Sequence, residues 1–142
     1  MTTDTATKTI KFATIAALAL GAPLEGGTFR GVITLPSGAH VAVVLLADKP
    51  AKDLPWADAK AWAESVDGVL PTRPIAALLY ANAKGEFEKS WHWTADELQA
   101  DTGNKRDESF AWFCDFFSGR QSIGRKDGYY AARAVRLIHL EV

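Results

Sequence analysis

The sequence predicts an α+β domain, with two helices packed on antiparallel sheets. Three observations carry this. Strand-like runs rich in β-branched residues lie early and late in the chain. Two segments with helical spacing sit next to each other between them, and helices grouped in this way mark α+β rather than α/β order. The length of 142 residues, with 48% hydrophobic and 23% charged content, suits one core, and no linker or internal repeat divides it.

Residues 1–9 are polar and Thr-rich and read as a disordered tail, leaving one domain over 10–142. Residues 10–20 read as a first strand or a short helix. The apolar run 12–22 has the length of a signal-peptide core. The region before it is weakly basic, because Asp4 offsets one of Lys8 and Lys11, and the run is read as part of the mature domain. No run approaches the ~18 to 20 apolar residues that span a bilayer.

Pro23 and Gly26-Gly27 then break the chain. Runs 28–35 and 40–46 read as a hairpin joined across Pro36-Ser37-Gly38. In the second run Val41, Val43 and Leu45 alternate with Ala42, Val44 and Leu46. Both faces are apolar, so this strand is expected to be covered on both sides.

Residues 53–66 read as a helix with Pro55 near its first turn and Gly68 as its stop. Trp56, Ala59, Trp62, Ala63 and Val66 form its apolar stripe. A second helix starts at Thr72, an expected N-cap, with Pro74 in the first turn. Its face is Ile75, Leu78, Leu79 and Asn82, and Gly85 ends it. Trp91 and Trp93 then share one side of a short strand, with His92 and Thr94 on the other. The polar stretch 96–107 reads as an exposed loop, 110–117 as a central strand, and 131–140 as the last strand, with Gly119, Gly124 and Gly128 punctuating the turns.

Composition narrows the chemistry. Sixteen basic and 17 acidic residues give a net charge of -1, which argues against a general phosphate-binding surface and leaves room for a local patch of either sign. Cys114 is the one cysteine, so no intrachain disulfide forms; it lies in an apolar run and reads as a packing residue. His40, His92 and His139 are far apart and show no metal-ligand spacing. No nucleophile motif, P-loop or dinucleotide fingerprint is present. No catalytic residue, metal or cofactor is therefore assigned. Asp115 reads as a surface carboxylate at a strand end. Trp56, Trp62, Trp91, Trp93 and Trp112 have the option of stacking ligands, but their spacing favours core packing. Arg133 and Arg136 have the option of binding an anion, but a structural ion pair to Asp or Glu is the favoured reading.

The segment 113–130 stands apart, because aromatic, Arg, Ser and Gly residues interleave. Interfaces favour that mix: rigid aromatics and Arg supply area and bidentate bonds, and small residues adapt. A hairpin edge with its own packing is the competing reading.

Several pieces, taken in order, resemble a known family. They are Trp56-Ala57-Asp58-Ala59, Leu70-Pro71-Thr72-Arg73, Trp91-His92-Trp93-Thr94, Ala111-Trp112, Gly119-Arg120-Gln121 and Ala132-Arg133-Ala134-Val135-Arg136. This set resembles the DUF1566 domain, also called the Lcl C-terminal domain, over more than half of the chain. The whole chain, with Lys8-Thr9-Ile10-Lys11, is similar to small members carried by phages and prophages of Gram-negative bacteria. The resemblance implies a C-type-lectin-like fold, akin to formylglycine-generating enzyme and to the variable proteins of diversity-generating retroelements. The calcium motifs of sugar-binding lectins and the cysteine pair of formylglycine-generating enzymes do not occur here.

Carried over by position, the resemblance makes Phe113, Asp115, Phe117, Ser118, Arg120, Ser122, Arg125, Asp127 and Tyr129 the displayed contacts. Trp112, Phe116, Gly119, Gln121, Arg133 and Arg136 become frame. The implied function is non-enzymatic recognition of a macromolecule, above all a protein, with a glycan as the other ligand. Two settings fit: a virion-associated or receptor-binding accessory protein, or an intracellular inhibitor that occludes a bacterial defence component. An enzyme is the third and weakest reading. The expected location is the host cytoplasm or the virion. No membrane or general nucleic-acid partner is expected, and the family makes a homo-oligomer, such as a trimer, an option.

Overall fold

The computed structural model describes residues 8–141. Among these residues two sheets and four helices form an α+β arrangement that is mostly strand. In chain order the elements are β1 (Thr9–Lys11), α1 (Phe12–Ala16), β2 (Pro23–Leu24), β3 (Gly27–Thr34), β4 (His40–Leu46), α2 (Trp56–Ser65) and α3 (Arg73–Ala83). They continue with β5 (Trp91–Glu97), α4 (Leu98–Thr102), β6 (Phe110–Asp115), β7 (Gln121–Arg125) and β8 (Val135–Glu141). The larger sheet has the order β1-β8-β4-β3-β2 and the smaller one β5-β6-β7. The pairs are antiparallel except β1 with β8, which is parallel, so the larger sheet is mixed rather than purely antiparallel as expected.

β4 organises the interior. All six residues from Val41 to Leu46 are at most 3% exposed, as the two-faced apolar pattern predicts. Alternation sends Ala42, Val44 and Leu46 into one cluster, with Ile15, Phe29, Trp56, Ala59 and Trp93. Val43 and Leu45 enter the other, with Ile75, Leu79, Phe87, Cys114 and Phe116. α2 therefore covers one side of the sheet and α3 the other.

α2 starts at Trp56, three residues later than its periodicity suggests, with Pro55 as N-cap. Trp56, Ala59 and Ala63 are buried, whereas Trp62 and Val66 only border the core. The helix ends in a Schellman motif. The Gly68 N–H donates to Ala63 O (2.9 Å) and the Asp67 N–H to Glu64 O (3.0 Å). Asp67, not Gly68, takes the left-handed conformation (φ 61°). Gly68 is required by proximity, since a Cβ there would lie 2.9 Å from Val135 O. α3 starts after Thr72, but the Thr72 side chain does not cap it. The Asp96 carboxylate does so from β5, accepting from the Arg73 N–H at 2.7 Å.

Four sequence expectations need correction here. Thr9 and Lys11 bracket a strand, so the ordered domain starts before residue 10; residues 1–7 of the expected tail lie outside the described residues. The 10–20 region is both a strand and a helix. The expected 96–107 loop contains the end of β5, α4 and a 3-10 turn at Lys105–Asp107. The last strand begins at Val135, because residues 131–134 serve as a connector. Among the described residues no helix is long and apolar enough to cross a membrane.

Candidate functional site

The smaller sheet builds a row of aromatics by alternation. Phe113 and Asp115 of β6 share a face. The register places Trp93 and Ser122 beside Phe113, and Trp91 beside Asp115. Trp91 stacks on Phe113 at 4.6 Å and 16°. Tyr130 meets Trp91, Trp93 and Phe113 with centroids 4.5 to 5.4 Å apart, in tilted or edge-on geometries that suit the ring quadrupoles.

Hydrogen bonds to the Leu54 and Tyr130 backbone hold this cluster in place. Leu54 and Tyr130 exchange both N–H···O bonds (2.9 and 3.1 Å), and Trp93 Nε1 donates to Leu54 O at 2.8 Å. Gly124 lets the Tyr130 ring approach, since a Cβ there would lie 2.7 Å from it. The outcome is a groove of about 290 Å³ lined by Trp91, Phe113, Asp115, Arg120, Ser122, Ile123 and Tyr130.

The turn beyond β6 has its own internal bonding. Asp115 Oδ1 accepts from the Phe117 N–H (2.9 Å) and Oδ2 from the Ser118 hydroxyl (3.1 Å). Ser118 Oγ in turn accepts from the Arg120 N–H (3.2 Å). Such side-chain-to-backbone bonds fix turns without a ladder. Gly119 adopts φ 83° under the Tyr80 ring, where a Cβ would sit 2.6 Å away. The turn projects Phe117 into solvent at 68% exposure.

The expected contact residues divide by burial. Phe117, Ser118, Arg120, Arg125, Asp127 and Tyr129 are exposed, and Asp115 and Ser122 are partly so. Asp115 is the strand-end carboxylate that its position suggests. Phe113 is a correction: it is 6% exposed, covered by Trp91 and Tyr130, and forms the groove floor rather than a displayed contact. Trp91 is the converse correction, because it is 46% exposed on the outer end of its strand instead of lying in the core. Trp91, Ile123 and Tyr130 complete the groove but were outside the expected contact set. The exposed face of Trp91 is legible only as one of five Trp with a stacking option.

The expected frame residues do act as supports. Phe116 stacks on Phe87 at 3.9 Å and 4°. Trp112 donates from Nε1 to Asp101 (2.7 Å) and lies under the Arg73 guanidinium. Gln121 exchanges two bonds with Arg73. The expected ion pairs of Arg133 and Arg136 are replaced by backbone carbonyls. Arg133 donates to Glu86 O and Leu46 O, and Arg136 to Glu25 O, Val66 O and Asp67 O. Carbonyls at loop and helix ends are orphan acceptors, so a guanidinium there ties segments together.

Among the described residues the titratable groups show no catalytic pairing. Burial, helped by the Asp115 charge, pushes the Cys114 thiol up to about 11, so it stays protonated at neutral pH. His40 bonds Thr34 Oγ1 at 2.8 Å on the hairpin surface. His92 is buried with Nδ1 3.0 Å from Ser90 O. Among the described residues no three of His, Cys, Asp and Glu gather as a metal site. A wider cleft of about 670 Å³ lies between the end of β3 and the start of α3, but Asp96 already caps the helix there.

No protein-family model matches the chain, and no curated protein matches it.

Proposed function

We propose that the chain is a non-enzymatic recognition module of C-type-lectin-like, DUF1566 type, encoded by a phage or prophage, that binds a protein partner through the β6–β7 face. The observation that carries this reading is the pairing of a rigid aromatic floor with exposed aromatic anchors. Trp91, Phe117 and Tyr129 are 46%, 68% and 65% exposed. Arg120, Arg125 and Asp127 stand among them as exposed charges. Desolvating aromatics inside a polar, Arg-containing rim is how compact interfaces concentrate their energy. The DUF1566 assignment is supported by the ordered motif set, whose Trp93, Trp112, Gln121, Arg133 and Arg136 occupy supporting positions.

Affinity capture from the bacterial host, with purified virions in parallel, tests this reading. Arg120→Ala and Arg125→Ala should stay folded by circular dichroism yet lose the partner. Glu64→Ala, exposed on α2, should keep it. Normal capture by both arginine variants would sink the proposal.

A further inference from the structure

A second recess lies behind β5. Alternation turns His92 away from Trp91 and the aromatic groove. His92 meets Phe87 and Phe116 edge-on instead, at 5.3 and 5.0 Å. The recess holds about 150 Å³. Its inner wall includes His92 and Arg133, which are 3% and 5% exposed. Lys49 and Lys52, with Asp53 and Glu88, line its outer part and are exposed.

Arg133 is a buried cation held by neutral groups. Nη1 donates to Glu86 O at 2.5 Å and Nη2 to Leu46 O at 2.9 Å. The guanidinium stands 4.9 Å over the Phe87 ring. Among the described residues the buried Nε–H has no hydrogen-bond partner. Among the described residues no carboxylate forms a salt bridge with it. Carbonyls satisfy N–H groups but do not neutralise a charge, and the Glu86, Glu88 and Asp48 carboxylates act on the guanidinium only from a distance, so the buried charge is incompletely compensated. Tying two loops together uses two of the five guanidinium N–H groups. The recess wall carries three cations, Lys49, Lys52 and Arg133, against the two carboxylates Asp53 and Glu88.

We propose that this recess is an oxyanion site, taking a carboxylate or phosphate group between the Arg133 guanidinium at its floor and Lys49 and Lys52 at its mouth. Drug-sized ligands fill pockets of roughly 300 Å³ or more. This recess is smaller, so it suits a free small anion or the anionic end of a larger molecule. Arg supplies planar, directed donors to such groups and Lys supplies a mobile charge. The site is separate from the β6–β7 face and does not depend on the function proposed for that face.

The test follows the Arg133 Nε–H resonance of the 15N-labelled full chain. Sodium phosphate and sodium acetate are titrated separately, with sodium chloride at matched ionic strength as reference. A saturable shift with phosphate, acetate or both is expected, and the responding salt names the ligand class. The shift should be lost in the Lys49→Ala/Lys52→Ala double variant, whose spectrum stays folded because both lysines are exposed. Arg133→Ala is not used to measure binding, because it also cuts the ties to Leu46 and Glu86. The proposal is overturned if neither oxyanion shifts the resonance, if chloride shifts it equally, or if the double variant titrates like the wild type.

Discussion

The Arg73 guanidinium lies over the Trp112 ring, 3.5 Å from its centroid. The same side chain donates from Nε to Gln121 Oε1 at 2.9 Å, and Gln121 Nε2 donates back to Arg73 O at 2.8 Å. One residue at the start of α3 thus joins β6 and β7 to the helix. The site face and the helical layer are held in register from behind.

Arg73→Ala should therefore cost about 2 kcal/mol, one cation–π contact plus one net hydrogen bond. Gln121→Ala removes both bonds and should cost about 2 kcal/mol. The two changes share a bond, so their double-mutant cycle should show coupling of about 1 kcal/mol rather than additivity. Urea melts of the four proteins measure this. Additive losses would mean that Arg73 and Gln121 act separately. Arg73→Lys should rescue only in part, because an ammonium keeps a cation–π attraction but lacks the stacked plane and the Nε–H directed at Gln121.

The tryptophans of the core should separate by burial. Trp93 is 0% exposed and its indole N–H is bonded to Leu54 O. Trp93→Ala should cost about 3 to 5 kcal/mol and threaten a marginally stable fold. Trp62 shares the apolar stripe of α2 but only borders the core, so Trp62→Ala should cost about half as much. Equal melting midpoints for the two variants would contradict the observed burial.

His92 makes stability depend on pH. Its pKa is lowered from 6.5, first by burial and then by the Arg133 charge, against the opposing bond to Ser90 O and the charges of Glu88 and Asp53. Above 6.5 the ring is neutral in both states and its contribution is fully present. Below 6.5 the unfolded chain takes up a proton that the folded protein resists, so stability falls as the pH drops toward the folded value. The melting midpoint should decrease from about pH 7.5 to about pH 5.5, with a slope of at most about 1.4 kcal/mol per pH unit from this group. His92→Phe keeps the edge contacts to Phe87 and Phe116. Ser90 O retains the Phe116 N–H (3.0 Å). That variant should show a flatter profile, and an unchanged slope would assign the dependence to other groups.

Much of the frame was legible because it rests on local rules. The two-faced apolar run of β4, the hairpin turn and the two central helices follow from period and turn chemistry. α4 escaped because five residues in a polar stretch are too few to show a period. The cap of α3 escaped because Asp96 is distant in sequence from Arg73. The site divides in the same way. The resemblance grouped Phe113 and Asp115 as displayed contacts, but the ring that covers Phe113 comes from Tyr130, beyond β7. Trp91 and Trp93 have the same identity and the same face. Only position in the assembled sheet leaves one open to solvent and the other closed.

That difference yields the sharpest test of the proposed interface. Phe113→Ala empties the groove floor and should cost about 3 to 5 kcal/mol, so lost binding in that variant reports folding. Phe117 and Tyr129 project outward, and their truncation should change stability by less than about 0.5 kcal/mol. If they anchor a partner, each Phe117→Ala or Tyr129→Ala change should weaken binding by ~2 kcal/mol or more, roughly 30-fold. Trp91→Ala lies between these cases. It loses the stack on Phe113, and with it some stability, but should lose affinity to at least the same degree as the two outer residues. Calorimetric melting and partner titration on the same four samples separate the effects. Retained affinity in the Phe117, Tyr129 and Trp91 variants would move the interface off the β6–β7 face. Loss of affinity in strict proportion to loss of stability would make the aromatic row a core element with no partner role.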